Sequence, residues 1–352
     1  MIVRFCSFSA LALLCPALSC SDSFSLLADV TWDCAKHDGY WEVIGFSYAK
    51  EQTMRKCAEL TIPSTVGDVK IDGVGQYAFK SNQDIAAVVV PSNITFIGRE
   101  AFYACSNLTS LIFEPGQCGL TISADAFADC VRLKKVDITK RASMISAYAF
   151  ANCSSLKEVV LSRECYNVDE RCFSRCANLL RIDMSNVSSD WMSAFQGCDS
   201  LIDVVVSKEN PTYKTWNGML VYRNRNVFLR CPSGLRSNKI DLTFRPELIC
   251  PFAFESCQAK EVILYEGLKA IGTAAFNLCT NIVGISIPST VELIDDYAFF
   301  GCSNLVTITF CGDKLPELGE CVFPSSVKFN GACLSPSQIS ILEHAKDTLH
   351  SK

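Results

Sequence analysis

The sequence predicts an α/β-type solenoid of about 11 rungs. It would carry a parallel β-sheet on one face, short irregular or 3-10 segments on the other, and a hairpin cap at its N-terminal end. Three observations predict it. A pair Ala-Phe (Cys172-Phe173 in one copy) followed three residues later by Cys recurs along the chain, with its aromatic rings at Phe102, Phe127, Phe150, Phe173, Phe195, Phe254, Phe276 and Phe299. Successive rings stand 22 to 25 residues apart, apart from one gap of 59 residues between Phe195 and Phe254. Each Cys is followed by an apolar frame, as at Leu133/Val136/Ile138, Leu156/Val159/Leu161 and Leu305/Ile308/Phe310, whose last positions alternate as in a half-buried strand. One such unit cannot bury its own apolar face, whereas stacked copies share one core. Weaker copies, at Ala78-Phe79 and Val322-Phe323, lie at the two ends.

The elements follow in chain order. Residues 1–19 read as a secretory signal peptide: one Arg, an apolar run from about Phe5 to Leu14, Pro16, then small residues before a cleavage point near Ser19 or Cys20. That run is too short to span a bilayer, and no transmembrane segment is expected after it. Residues 20–60 form the expected N-terminal cap, a hairpin of Val30 to Cys34 and Trp41 to Phe46 around Gly39. Residues 61–330 hold the repeat array. The long gap is an insertion at about 209–235, read as a β-hairpin of Met219–Tyr222 and Val227–Arg230, followed by an ordinary rung at Lys239–Leu242. In the tail, 331–352, Ile339, Leu342, Ala345 and Leu349 fall at helical spacing after Ser335-Pro336. Two outcomes stay open there, a packed cap or a loose end.

The frame L-x-x-I-x-(L/I)-P-x-x-(V/I)-x-x-I-(G/D)-x-x-A-F-x-x-C-x-x-L, clearest over Val88 to Leu108 and Ile285 to Leu305, resembles the BspA-like class of leucine-rich repeat. The resemblance covers about residues 28 to 330. It implies a leucine-rich-repeat fold and a surface or secreted protein of the kind found in bacteria and parasitic protists, linked to adhesion and host contact. The insertion resembles one that interrupts BspA-like arrays beside an otherwise normal rung.

Composition narrows the chemistry. There are 32 Lys and Arg against 37 Asp and Glu, a net charge of −5, so no nucleic-acid partner is expected. Of the 21 cysteines, eight recur at the inward repeat position and read as buried thiols. Cys34 with Cys57, and Cys311, Cys321 and Cys333, are better placed for disulfides in an exported protein, with connectivity open. Only three His occur and no C-x-x-C, so neither a metal site nor any cofactor is expected. G-x-S-x-G, H-E-x-x-H, Walker and G-x-G-x-x-G patterns are absent, and no enzyme is expected.

Two candidate binding surfaces stand out. The strand residues that flank each buried apolar position form a ribbon of Lys135, Asp137, Glu158, Arg181, Asp183, Asp203, Lys239, Asp241 and Glu261. It reads either as a partner-binding face or as a solvated sheet whose charges prevent self-association. The stretch 208–245 carries eight basic residues against two acidic, with Arg223, Arg225 and Arg230 beside Trp216 and Tyr222. Cation and aromatic on a projecting hairpin suit an anionic glycan or acidic partner, and equally describe a solvated loop. Sequons at Asn93, Asn107, Asn152 and Asn186 are glycan acceptors if the chain passes through a eukaryotic secretory pathway. The expected function is a secreted or cell-surface interaction and adhesion module for protein or glycan ligands on host or neighbouring cells. The alternatives are a structural or matrix-capture component of a secreted layer, and an intracellular scaffold.

Overall fold

A computed structural model describes residues 2–6, 30–48, 58–116, 119–138, 142–161, 165, 167–185, 187, 193–331 and 334–346. The chain forms a β-solenoid of about 11 turns with parallel sheets, divided into two compact units, Met1–Cys176 and Ala177–Lys352.

In the first unit, Ile2–Cys6, Val30–Lys36 and Trp41–Tyr48 pair antiparallel in that order. Trp41–Tyr48 then continues in parallel onto Gly73–Val74, Phe96–Ile97, Leu120–Ile122, Ala142–Ile145 and Asn167–Val168. A separate parallel strip joins Ala58–Thr61, Ile85–Val90 and Ser110–Phe113, and another joins Lys135–Asp137 to Glu158–Val160. The expected single sheet is therefore corrected. Among the described residues most coils contribute two strands, and the side expected to be irregular carries its own parallel sheet. The reason lies in the run before each Ala-Phe, where residues such as Ile97, Ile122 and Ile145 are buried in alternation with less buried neighbours. The α/β class also gives way, because among the described residues the one helix is Pro336–His344.

The second unit repeats the plan. Val227–Arg230, Leu248–Ile249, Ala270–Ile271, Leu293–Ile294 and Glu317–Leu318 form one parallel strip. Gly284–Ile287, Thr307–Phe310 and Lys328–Asn330 form another. Arg181–Asp183 pairs with Asp203–Val205, and Lys239–Asp241 with Glu261–Ile263, in two separate sheets. The insertion has three strands rather than two: Tyr213–Trp216 pairs antiparallel with Met219–Tyr222, which pairs with Val227–Arg230. Asn217 and Gly218, at φ +49° and +78°, make the tight turn that Asn-Gly favours.

Between the strips run the aromatic rings. Coils about 4.8 Å apart place equivalent rings parallel and nearly in contact. In the first unit the centroids of Phe79, Phe102, Phe127, Phe150 and Phe173 follow at 5.0, 5.1, 5.2 and 5.5 Å. In the second, Phe228, Phe254, Phe276, Phe299 and Phe323 follow at 4.5, 4.8, 5.0 and 5.9 Å. Phe195 is equally buried. Phe228 comes from the insertion and takes the place in file that the interrupted repeat leaves empty.

Backbone bonds lock the Ala-Phe turns. The Phe102 N–H donates to the Ala126 carbonyl at 2.8 Å and that of Phe127 to Ala149 at 2.8 Å. Left-handed residues bracket each turn, as Glu100 and Ala104 (φ +52°, +56°) or Asp125 and Asp129 (φ +57°, +62°) do. Such a conformation costs a non-glycine residue about 1–2 kcal/mol. It is offset by bonds to the next coil, from Ala104 N to Ala128 O at 2.8 Å and from Asp129 N to Ala151 O at 2.8 Å. The repeat cysteines add a side-chain bond. Cys105, Cys130, Cys153 and Cys176 donate from Sγ to the Phe carbonyl of the preceding coil at 3.2, 3.2, 3.3 and 3.2 Å. Cys279 and Cys302 do the same at 2.9 and 3.0 Å. Burial raises the thiol pKa of Cys105 to about 12 and those of Cys130, Cys153 and Cys279 well above the ordinary range. Cys34 is a buried free thiol pushed up to about 11, chiefly by burial. Cys57 and Cys333 lie outside the described residues. The C-terminal helix starts at a capping box between Ser335 and Gln338 and buries Leu342, with Ala345 buried just past its end.

Two outcomes follow from this packing. Phe127→Ala is expected to cost about 3–5 kcal/mol in chemical denaturation. In the native protein at pH 8, iodoacetamide is expected to modify the exposed Cys311 and spare the repeat thiols, since burial keeps the reagent from them; peptide mass mapping before and after denaturation reads this.

Candidate binding surface

The ribbon residues lie where the sequence places them, on the strands, partly or fully exposed. Their charges face one another across adjacent coils. In the first unit Lys135 pairs with Glu158 at 3.2 Å and with Asp137 at 3.8 Å. In the second, Arg181 pairs with Asp203 at 3.3 Å and Lys239 with Glu261 at 3.5 Å. Asp183 accepts from the Ser185 N–H at 3.0 Å, and Asp241 from the Tyr265 hydroxyl at 2.8 Å, which raises the Tyr265 pKa. Parallel, in-register strands put residues of equivalent position side by side, so opposite charges in neighbouring repeats compensate. The sequence shows a ribbon of mixed charge; the fold sets each of its three cations, Lys135, Arg181 and Lys239, beside an acid.

The basic hairpin is taken apart by the structure. Arg230 is not an exposed ligand residue: it is 3% exposed, at the end of the insertion's last strand. Its Nη1 donates to the Phe252 carbonyl at 2.7 Å, and its Nη2 lies 3.4 Å from Glu255 Oε2 and 3.4 Å from the Phe195 carbonyl. Glu255, also buried, accepts from Gln196 Nε2 at 3.4 Å and Asn277 Nδ2 at 3.5 Å. Arg223 bonds backbone as well, from Nε to the Asn210 carbonyl at 2.6 Å and from Nη2 to that of Tyr213 at 3.2 Å. Trp216 packs on Phe244 at 4.9 Å and Tyr222 on Tyr213 at 5.3 Å. Of the three arginines only Arg225 is exposed, its guanidinium 5.8 Å from the Tyr222 ring centroid.

Two sequon amides are engaged. Asn93 donates to the Ser64 carbonyl at 3.1 Å, and Asn107 donates to the Gln83 carbonyl while accepting from Arg132 Nη1 at 2.8 Å. Asn152 sits in a left-handed turn at φ +59°, and Asn186 is outside the described residues.

Sequence reasoning missed two depressions. One, of about 450 Å³, lies beside the N-terminal hairpin and is lined by His37, Tyr40, Trp41, Asp68, Lys70 and Asp72. Internal bonds occupy several of its polar groups: His37 Nε2 meets Glu42 Oε1 at 2.9 Å, and Asp72 takes the Trp41 N–H at 3.1 Å and Lys70 Nζ at 3.3 Å. The other is a cleft of about 560 Å³ where the period is interrupted. Leu180, Asp199, Ser200 and Ile202 line one side, and Gly234, Arg236, Asn238, Gln258, Lys260 and Asn281 the other. No motif marks it, because its walls come from four coils and the insertion loop. The available signal was the missing beat between Phe195 and Phe254.

Among the described residues no group of three or more His, Cys, Asp or Glu could hold a metal ion, and no helix is long and apolar enough to cross a membrane. The model of the BspA type leucine rich repeat region matches residues 120–216 and 224–345, in six copies. The chain belongs to the BspA-type leucine-rich repeat family. The repeat fold of that family is typically non-catalytic. No curated protein matches the chain. Among solved structures, this BspA-type protein is similar in fold to the pneumococcal vaccine antigen PcpA, at 20% identity and a TM-score of 0.73 over 87% of this chain and 84% of that one. It is also similar to a leucine-rich cell surface protein of Faecalibacterium prausnitzii, at 18% identity and a TM-score of 0.60 over 90% and 96%. A leucine-rich repeat protein of Bacteroides ovatus follows, at 21% and 0.57 over 86% and 77%.

The buried ion pair gives a stability test. Arg230→Ala strands the Glu255 carboxylate and is expected to cost about 3–5 kcal/mol. The double variant Arg230→Met, Glu255→Leu is expected to recover most of that loss in the same denaturation titration.

Proposed function

We propose that this BspA-type chain is a secreted or cell-surface interaction module that binds protein or glycan components of host or neighbouring cells and performs no chemistry of its own. Family membership over most of the repeat array carries this reading. Two similar folds, a vaccine antigen and a cell surface protein, support an extracellular setting. The repeat residues themselves are consumed by packing: rings, thiols and turn amides all face inward. Chemistry toward a partner is thus left to the exposed strand faces, to the insertion and to the clefts.

Residues 1–19 serve in this reading as the secretion signal, 20–60 as the cap, 61–330 as the array and 331–352 as the closing helix and tail. Cleavage near Ser19 or Cys20 removes Ile2–Cys6 and leaves Val30–Lys36 as the edge of its sheet. The lateral pairing of ribbon charges fits a surface that resists self-association while remaining polar.

The test is binding of the purified, fluorescently labelled protein to intact epithelial cells and to cells of the producing organism. Saturable binding that excess unlabelled protein displaces is expected on at least one of them. Uptake that rises linearly without saturation would favour a matrix component, and absence of binding to both would contradict the proposal. The intact mass of the secreted product is expected to begin near residue 20; a product that keeps Met1 would contradict export by this signal.

A further inference from the structure

We propose that the cleft at the interrupted period is a peptide-binding site, taking an extended segment whose carboxylates lie between apolar side chains. Arg236 and Lys260 receive the carboxylates, and Leu180 and Ile202 the apolar flank. The proposal rests on reading the chain as an interaction module and names the site and partner chemistry.

Charge is the first argument. The exposed basic residues Lys135, Arg181, Lys239 and Lys269 each reach an acid on an adjacent coil, the last at 2.7 Å from Glu292. Among the described residues, the Arg236 and Lys260 side chains, like those of Lys134 and Lys157, have no such partner, but Arg236 and Lys260 line one cleft together. Their single acidic neighbour in the lining is Asp199, so the cleft keeps an excess of positive charge.

Register is the second. The Leu180 carbonyl accepts from Ile202 N at 3.0 Å, that of Asn238 from Lys260 N at 2.9 Å, and that of Val283 from Val306 N at 2.8 Å. In the second unit the residue just ahead of each ribbon strand thus forms a row that is apolar at Leu180 and Ile202, polar and cationic at Asn238 and Lys260, then apolar again at Val283 and Val306. Leu180 and Ile202 are 43% and 49% exposed, and Val283 and Val306 are 56% and 49% exposed, large values for aliphatic side chains in equivalent places. A ligand that alternates apolar, acidic and apolar groups complements this row. The lining contains no aromatic ring, the usual platform for a sugar face, which favours peptide over glycan.

Rigidity is the third. The loop 231–235 is fixed by Cys231 N to Ala253 O at 2.7 Å, Gly234 N to Leu201 O at 2.8 Å and Ser233 Oγ to Glu255 O at 2.9 Å. A Cβ on Gly234 would stand 2.6 Å from the Ser200 carbonyl, so only glycine lets the loop lie this close to the cleft's other wall. A preformed site loses less freedom on binding.

The test uses the full chain and the fluorescein-labelled peptide Leu-Val-Glu-Glu-Leu-Val, with Leu-Val-Gln-Gln-Leu-Val as its uncharged counterpart, read by fluorescence anisotropy. The Glu peptide is expected to bind saturably and more weakly as salt rises. Affinity is expected to fall about tenfold or more for the Gln peptide and for Arg236→Glu, Lys260→Glu. It is expected to persist in Arg236→Lys, Lys260→Arg and in Arg225→Glu, which lies outside the cleft. Circular dichroism checks folding, and the single variants Arg236→Gln and Lys260→Gln replace the double reversal if it unfolds. No binding of the Glu peptide, equal binding of both peptides, or binding indifferent to the cleft variants overturns the proposal, as does heparin binding that alone depends on these residues. Wild-type protein that binds cells but not the peptide overturns the cleft assignment alone. Protein that binds the peptide but no cell overturns the functional reading and leaves the cleft.

Discussion

A single coil of this chain cannot hide its own apolar side, and the spacing between coils is fixed by backbone hydrogen bonding at about 4.8 Å. Everything else accommodates that spacing. An aromatic ring repeated at one position must lie parallel to its neighbours at about that distance, as Phe102 and Phe127 do at 5.1 Å and 2°. A turn repeated at one position must place donors beneath acceptors, even where left-handed residues such as Tyr148 and Asn152 are needed to do so. The cysteine after each ring is small enough to fit between coils and supplies a second donor to the Phe carbonyl, as from Cys153 to Phe127 at 3.3 Å.

Where the repeat is interrupted, the same constraint is met by other means. Phe228 enters the file from the insertion, 4.5 Å from Phe254. Cys231 stands with Cys257, Sγ to Sγ at 3.9 Å, while Arg230 and Glu255 fill the interior with a paired charge. On the surface the substitution is less complete. The strands Asp203–Val205 and Lys239–Asp241 belong to separate sheets, and the cleft with Arg236 and Lys260 lies beside them. Loss of the period thus gives a cleft in which two cations, Arg236 and Lys260, stand without the lateral acid partners that Lys135, Arg181 and Lys239 find.

The period was plain in the sequence because packing in a solenoid is local: each ring needs only its neighbours one repeat away, so spacing alone reveals Phe102 to Phe299 as core. The second parallel strip was less plain, since strands of two residues such as Phe96–Ile97 and Leu248–Ile249 are too short to show alternation. Asn217-Gly218 did signal the extra insertion strand and was overshadowed by the stronger pattern that follows it. The basic run misled for a different reason. Arg225 and Arg230 look alike in a charge count, but Arg230 lies between Phe228 and Cys231, which take the buried ring and thiol places, and is drawn inside with them to meet Glu255. Arg236 and Lys260 are 24 residues apart in the chain and share a cleft only because consecutive coils stack.

The stacking itself is tested most directly by amide hydrogen exchange resolved to single residues. The N–H groups of Phe102, Phe127, Phe254 and Phe276 donate between coils at 2.7 to 2.8 Å and lie in the buried turns. They are expected to exchange only when a whole unit unfolds, with protection that falls with denaturant as steeply as global stability does. Exchange of these amides within seconds, while the strands remain protected, would contradict the account.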